Sequence, residues 1–448
     1  MVGELAIESG PLRAMITGGK AVAQRSSRPS CKLEDVGSHP VGLPPSHLTH
    51  RSRNTGGVVM TQATEPVPVH DPLGAPVRCP AIRYPDAPPA DPAALTPLLD
   101  RLADPRPVTA DETHPVGTLR ADGRVDLCKQ GLGAAGAARL LPAAAASPHA
   151  VHVLLGTNAI GDDGARTLAQ SLTGGRHGLH TLYLGCNRIG PDGAAALAGP
   201  LAADGTVRAL WLKRNPVGDT GVRILAAMLR RNTALRTLDL VNTGLTTDGL
   251  HALVDALTDR PEPVERLFLG GNGLTAAAAP LLAALLRAGV RELYLSANHL
   301  GDAGAAALAA AADPDRPVRL GLGGNGIGPA GAAALADALG AIDTLDLGRP
   351  RSERSLGAPG NTTGDAGAAA LAAALPGSPL RSLELRHTGL TGRGAKTLLA
   401  AVPDGSPLEY VGLGPGLPRR VKRSFHQRLR PATRPAHPDL RAIGSVYR

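Results

Sequence analysis

The residues able to do chemistry are few in this chain and fall in no catalytic spacing. GLTGRGAKT at 389–397 comes nearest to a phosphate-cradling loop, but Lys396 stands one residue too late for GxxxxGK[ST]. His177, His180 and His251 lack metal-ligand spacing, and the GxSxG, HExxH and paired-cysteine signatures are absent. Cys31, Cys79, Cys128 and Cys186 are scattered and read as free thiols of a reducing compartment. Asp239, Asp346 and Glu384 share one recurring position, but they sit too many residues apart for joint acid–base work. No enzyme activity, metal or cofactor is expected.

Recognition chemistry is better represented. Four of the eight aromatic residues, Tyr183, Trp211, Phe268 and Tyr294, recur at the same position as Asp239, and Lys213, Arg214 and Arg266 lie beside them. Aromatics are only 2% of the chain, so their gathering in one column marks a binding face rather than a strand preference alone. In this reading Tyr183 stands beside Trp211, Phe268 beside Tyr294, and Asp239 separates the pairs. The three cations would meet acids of a partner at the rim.

A repeat must hold that column. LHTLYLGCNRIGPDGAAALAGPL at 179–201 recurs as VRALWLKRNPVGDTGVRILAAML from Val207, and ten frames span 122–407. Their key positions are Gln130, Asn158, Asn187, Asn215, Thr243, Asn272, Asn298, Asn325, Asn361 and Thr388, spaced by 26 to 29 residues except for 36 between Asn325 and Asn361. Aliphatic residues five and three before each key position suit the inward side of a short strand. A buried Asn can satisfy the backbone groups left unpaired where the chain turns out of the strand. An aliphatic residue, a Gly and an Ala/Leu run follow, with Asp162, Asp192, Asp219, Asp248, Asp302 and Asp365 placed to cap or charge each helix start. The column residues lie four before the key position, where they point outward.

The LxxLxLxxN pattern with a 28-residue period resembles the ribonuclease-inhibitor-like subtype of leucine-rich repeats. That resemblance implies an α/β solenoid, a curved horseshoe with a parallel sheet on the concave side and helices on the convex side. It carries over no site residues, and the subtype's many cysteines are absent. Ran GTPase-activating proteins have a similar array, so GTPase activation is an alternative role.

Residues 1–90 are rich in Pro, Ser, Gly, His and Arg without apolar period, so disorder is expected, and 1–59 read as an over-extended start before Met60. Residues 91–121 suit an N-terminal cap, and a hairpin is expected around Asp122-Gly123. The long eighth interval carries a polar loop with Arg349, Arg351 and Arg354, read as a surface insertion or a contact site. Residues 408–430 suit a C-terminal cap in which Val421, Phe425 and Leu429 form one helix stripe. Residues 431–448 are read as a basic tail that can be removed without harm to the fold. From 418 to 448 there are nine Lys or Arg and one acid, against a chain total of +9. Such a patch offers RNA or an anionic surface a second mode of binding.

No run of 18 apolar residues and no secretory leader is present. With the Ala, Gly, Arg and Pro usage of a GC-rich genome, the sequence reads as a bacterial cytoplasmic monomer. The expected role is a protein–protein interaction scaffold that binds an unnamed protein on its concave face.

Overall fold

The computed structural model describes residues 90–173, 176–349, 357–433 and 435–446. The expectations for residues 1–89, and those for Arg351 and Arg354, lie outside the described residues. One 13-stranded sheet runs in chain order. Its first three strands, β1 (Glu112–Thr113), β2 (Thr118–Leu119) and β3 (Arg124–Asp126), pair antiparallel. Gly123 takes φ 82° in the turn before β3, a conformation that suits a residue without Cβ. Leu98 and Leu102 of α1 (Thr96–Ala103) are fully buried at this end of the core.

From β3 onward each pairing is parallel. The strands are β4 (His152–Leu154), β5 (Thr181–Tyr183), β6 (Ala209–Trp211), β7 (Thr237–Asp239), β8 (Arg266–Phe268) and β9 (Glu292–Tyr294). They continue as β10 (Val318–Gly321), β11 (Ile342–Asp346), β12 (Ser382–Glu384) and β13 (Tyr410–Gly412). Parallel neighbours need crossovers. These are α2 (Gly133–Ala146), α3 (Gly161–Thr173), α4 (Pro191–Leu201), α5 (Gly218–Leu229) and α6 (Thr247–Thr258), then α7 (Ala279–Arg287), α8 (Gly301–Ala311), α9 (Pro329–Asp337), α10 (Gly364–Ala374) and α11 (Gly392–Ala401). The inward leucines Leu182, Leu210, Leu238, Leu267 and Leu293 are fully buried between sheet and helices.

The asparagines form a ladder through this core. Asn215 donates from Nδ2 to the carbonyls of Leu184 and Leu212, and its Oδ1 accepts from the backbone N–H groups of Asn187 and Ile189. Thr243 and Thr388 keep only part of this function, each donating its hydroxyl to the carbonyl three residues earlier. Gln130 differs: its side chain is exposed, and its backbone N–H bonds to Asn158. The ladder also survives the long eighth interval, because Asn361 donates to Leu322 and Leu347 and accepts from Asn325 and Ile327.

Four of the repeat aspartates act one helix later than their position in the chain suggests. Asp162 of α3 accepts from Gly190 and Gly193 at the start of α4, and Asp219 of α5 accepts from Thr246 and Gly249 at the start of α6. Asp302 and Asp365 do the same for Gly328 and Thr391, before α9 and α11. The device stitches neighbouring repeats, and it explains the glycines. A Cβ on Gly193 would lie 2.4 Å from Asp162 Oδ1.

At the far end, α12 (Arg419–Arg428) places Val421 and Phe425 in the core cluster, with Leu429 packed against it. Beyond α12 the described residues do not simply trail into solvent. The chain turns back, forms the one-turn α13 (Pro438–Ala442) and buries Asp439, Ala442 and Ile443.

Candidate functional site

The outward column is held in one register. Asp126 pairs with Leu154, and the sequence continues through Tyr183, Trp211, Asp239, Phe268 and Tyr294 to Gly321. The aromatic rings do not stand as two separate pairs. Ring centroids lie 6.3 Å apart for Tyr183–Trp211, 5.0 Å for Trp211–Phe268 and 4.3 Å for the stacked Phe268–Tyr294. Trp211 and Phe268 are two strands apart, about 9.6 Å along the sheet, so their rings lean together across the Asp239 position. Asp239 is 1% exposed. Burial pushes its carboxyl up to about 7, against the opposing pull of Lys213 and the Val241 N–H that it accepts.

The column is covered by the chain itself. Trp211 and Tyr183 are 1% and 2% exposed, because Ile443 packs with Leu154, Tyr183, Ala209 and Trp211 while Leu440 and Val446 flank the group. Polar contacts fix the covering segment at both ends. Thr237 Oγ1 donates to Asp439 Oδ2 at 2.6 Å, and Ser445 Oγ donates to Asp126 Oδ2 at 2.7 Å. Upstream, Thr433 donates to Glu409, which also pairs with Arg381.

Arg266 belongs to the floor of this seat rather than to its rim. Its Nε donates to Glu292 Oε1 at 3.0 Å, and its Nη1 lies 3.1 Å from Glu265 and 3.9 Å from Asp439. Lys213 sits 5.9 Å from the Tyr183 ring centroid, in cation–π range, and Arg214 is half-buried at φ 55°. Tyr294 donates its hydroxyl to Glu292 at 2.9 Å, and burial together with that carboxylate raises the phenol. Desolvation likewise pushes the Cys128 thiol up to about 12, so it is no ready nucleophile.

Comparison of the sequence with known families agrees with the repeat architecture. A family model described as leucine-rich repeat matches residues 178–198, 290–309, 318–336 and 378–399. The fold is a leucine-rich-repeat solenoid. Ribonuclease inhibitor of Sus scrofa is 30% identical over 194 residues, covering 36% of this chain and 42% of that protein. Leucine-rich repeat-containing protein 73 of Homo sapiens is 34% identical over 161 residues, covering 35% of this chain and 51% of its own length. The chain thus spans about half or less of these two relatives. Among solved structures, the Rad7 and Elc1 complex of yeast aligns with a TM-score of 0.46 at 16% identity, over 76% of this chain and 81% of that one.

The C-terminal part of the solenoid presents a different face. Here the column reads Gly321, Asp346, Glu384 and Gly412. Glu384 accepts from Arg386 Nε at 2.8 Å and from Tyr410 Oη at 2.9 Å. Arg349 and Arg386 are exposed, and the Arg349 N–H donates to the Arg386 carbonyl at 3.0 Å. Thus Tyr183, Trp211, Asp239, Arg266, Phe268 and Tyr294 come together, whereas Arg349 lies away at the acidic end. Sequence reasoning missed Thr237, Asp439, Leu440, Ile443 and Ser445. One signal was available: Asp439 is the lone acid among the nine Lys or Arg of residues 418–448.

Proposed function

We propose that this solenoid is a non-catalytic interaction scaffold, acting as a cytoplasmic monomer, that binds another protein on the concave face between β3 and β9. The observation that carries the reading is the seat on that face. Tyr183, Trp211 and Phe268, in a row of four neighbouring rings, and a buried Arg–Glu network hold a length of polypeptide. Aromatic and Arg side chains in desolvated pockets are the groups that dominate binding energetics. The relative named ribonuclease inhibitor acts, by its name, on another protein, which supports the same use of the fold here.

The test is crosslinking-coupled pull-down from native extract with the parent chain and with Phe268→Ala and Tyr294→Ala. Both residues are only half-buried, so the variants should keep the parent's circular dichroism. Crosslinks to one protein that map to residues 183–294 and fade in the variants are expected. Crosslinks confined to the convex helices, or to α12 with RNA as the captured species, would overturn the proposal.

A further inference from the structure

The covering segment records what the concave face selects. His437 accepts from the Asp439 N–H and Pro438 opens the turn, so the segment enters the face already helical. Asp439 meets Thr237 and approaches Arg266, Leu440 and Ile443 follow one and four residues later, and Ser445 reaches Asp126. One helical turn thus presents a carboxylate, then aliphatic side chains on one side, then a hydroxyl. The fit is incomplete, however. The Trp211 indole N–H is buried with no hydrogen-bond partner among the described residues, a costly state for a donor.

Resting on the scaffold reading, we infer that the concave face is a groove for a partner's helical turn of the same pattern, an acid followed by aliphatics at +1 and +4, and that residues 437–446 are a resident stand-in for it. The tether gives the stand-in a high effective concentration. A partner displaces it when its turn also offers an acceptor to Trp211, which the resident does not. Until then the resident keeps the aromatic column out of water.

The chain has a single Trp, so Trp211 emission reports the seat directly. The experiment uses the full chain, its Ile443→Asp variant, the milder Asp439→Asn variant, and a fluorescein-labelled peptide of residues 435–448. Release of the segment should red-shift Trp211 emission in Ile443→Asp and, to a smaller extent, in Asp439→Asn, with far-ultraviolet circular dichroism unchanged. The peptide should bind Ile443→Asp at least tenfold tighter than the parent, and changing Asp439 of the peptide to Asn should weaken it at least tenfold. If Ile443→Asp alone misfolds, the same peptide comparison is made on Asp439→Asn.

Unchanged Trp211 emission in both variants would show that the segment does not occupy the face, and the inference fails while the scaffold reading stands. A red shift without a gain in peptide affinity would make the segment a structural cover only, and again the inference fails. A parent dimer in light scattering that dissociates in Ile443→Asp would give the seat to a second copy and overturn the partner assignment. The scaffold reading itself fails by a separate readout, the absence of partner crosslinks to the concave face.

Discussion

Strands β5–β9 and strands β10–β13 share one sheet, one register and one asparagine ladder, yet their outward faces have opposite fates. The first carries Tyr183, Trp211, Asp239, Phe268 and Tyr294 and is roofed by the returning chain. The second carries Gly321, Asp346, Glu384 and Gly412 and ends at Tyr410, which is 43% exposed. The repeat therefore sets where the outward residues stand, and their chemistry sets what covers them: the returning chain over the rings, the side chains of Arg386 and Tyr410 around Glu384. A row of aromatic rings is costly to leave wet and gains by being covered, whereas carboxylates need solvent or partners. The glycines follow the same logic. A Cβ on Gly412 would lie 2.2 Å from Glu384, and one on Gly321 would lie 2.7 Å from Tyr294, so each Gly lets a neighbouring side chain lie across it.

The contrast is broken or upheld most strongly by paired truncations in the two regions. Trp211→Ala removes a side chain that is 1% exposed and should cost about 3–5 kcal/mol. Glu384→Ala, which removes contacts to the exposed Arg386 and Tyr410, should cost about 1 kcal/mol. Denaturation midpoints decide the matter, and equal costs would mean that the roof over β5–β9 adds nothing.

The ladder supplies a control, because it runs through both regions. Asn215→Ala and Asn361→Ala each strand two buried carbonyls and two N–H groups, and each should cost about 3 kcal/mol. A large inequality between them would place the difference inside the coil rather than on its face.

Asp239 tests the dryness of the roofed region through pH. Burial raises its folded carboxyl from 3.8 to about 7, so the folded state holds a proton that the unfolded state releases. Stability attributable to this group is therefore present at low pH and is lost as pH rises between those values. Relative to the parent, Asp239→Asn should gain about 2 kcal/mol between pH 5 and pH 8. Parallel melting curves at the two pH values would show that the site is wet.

Much of the solenoid is legible in the sequence, because a period of 28 residues fixes strand, turn and helix together. The paired registers and the asparagine ladder follow from local spacing. The roof does not. Thr237 and Asp439 are 202 residues apart, Asp126 and Ser445 are 319 apart, and a one-turn helix has no periodicity to announce it. The excess of Lys and Arg after residue 418 also directed attention toward anionic partners, whereas the bond to Thr237 that helps to hold the roof is made by the single acid among them. The lean of Trp211 toward Phe268 is a rotamer choice. Strand spacing alone leaves those rings two strands apart.

The smallest expected effect lies at the open end and carries the opposite pH sign. Desolvation favours the neutral form of Glu384, but hydrogen bonds from Arg386 and from Tyr410 outweigh it and hold the carboxyl below its ordinary value. A lowered folded pKa gives stability that is present above about 4.5 and is lost as pH falls through the folded value. Tyr410→Phe removes one of those donors at a half-exposed site, so its cost near pH 7 should be less than about 1 kcal/mol. That cost should vanish once Glu384 is protonated. Urea midpoints of parent and variant, followed downward from pH 7 through the titration of Glu384, measure it. A cost that stayed constant through that titration would mean that the Tyr410 hydroxyl stabilises independently of the Glu384 charge, and the charge-dependent account of this end would fail.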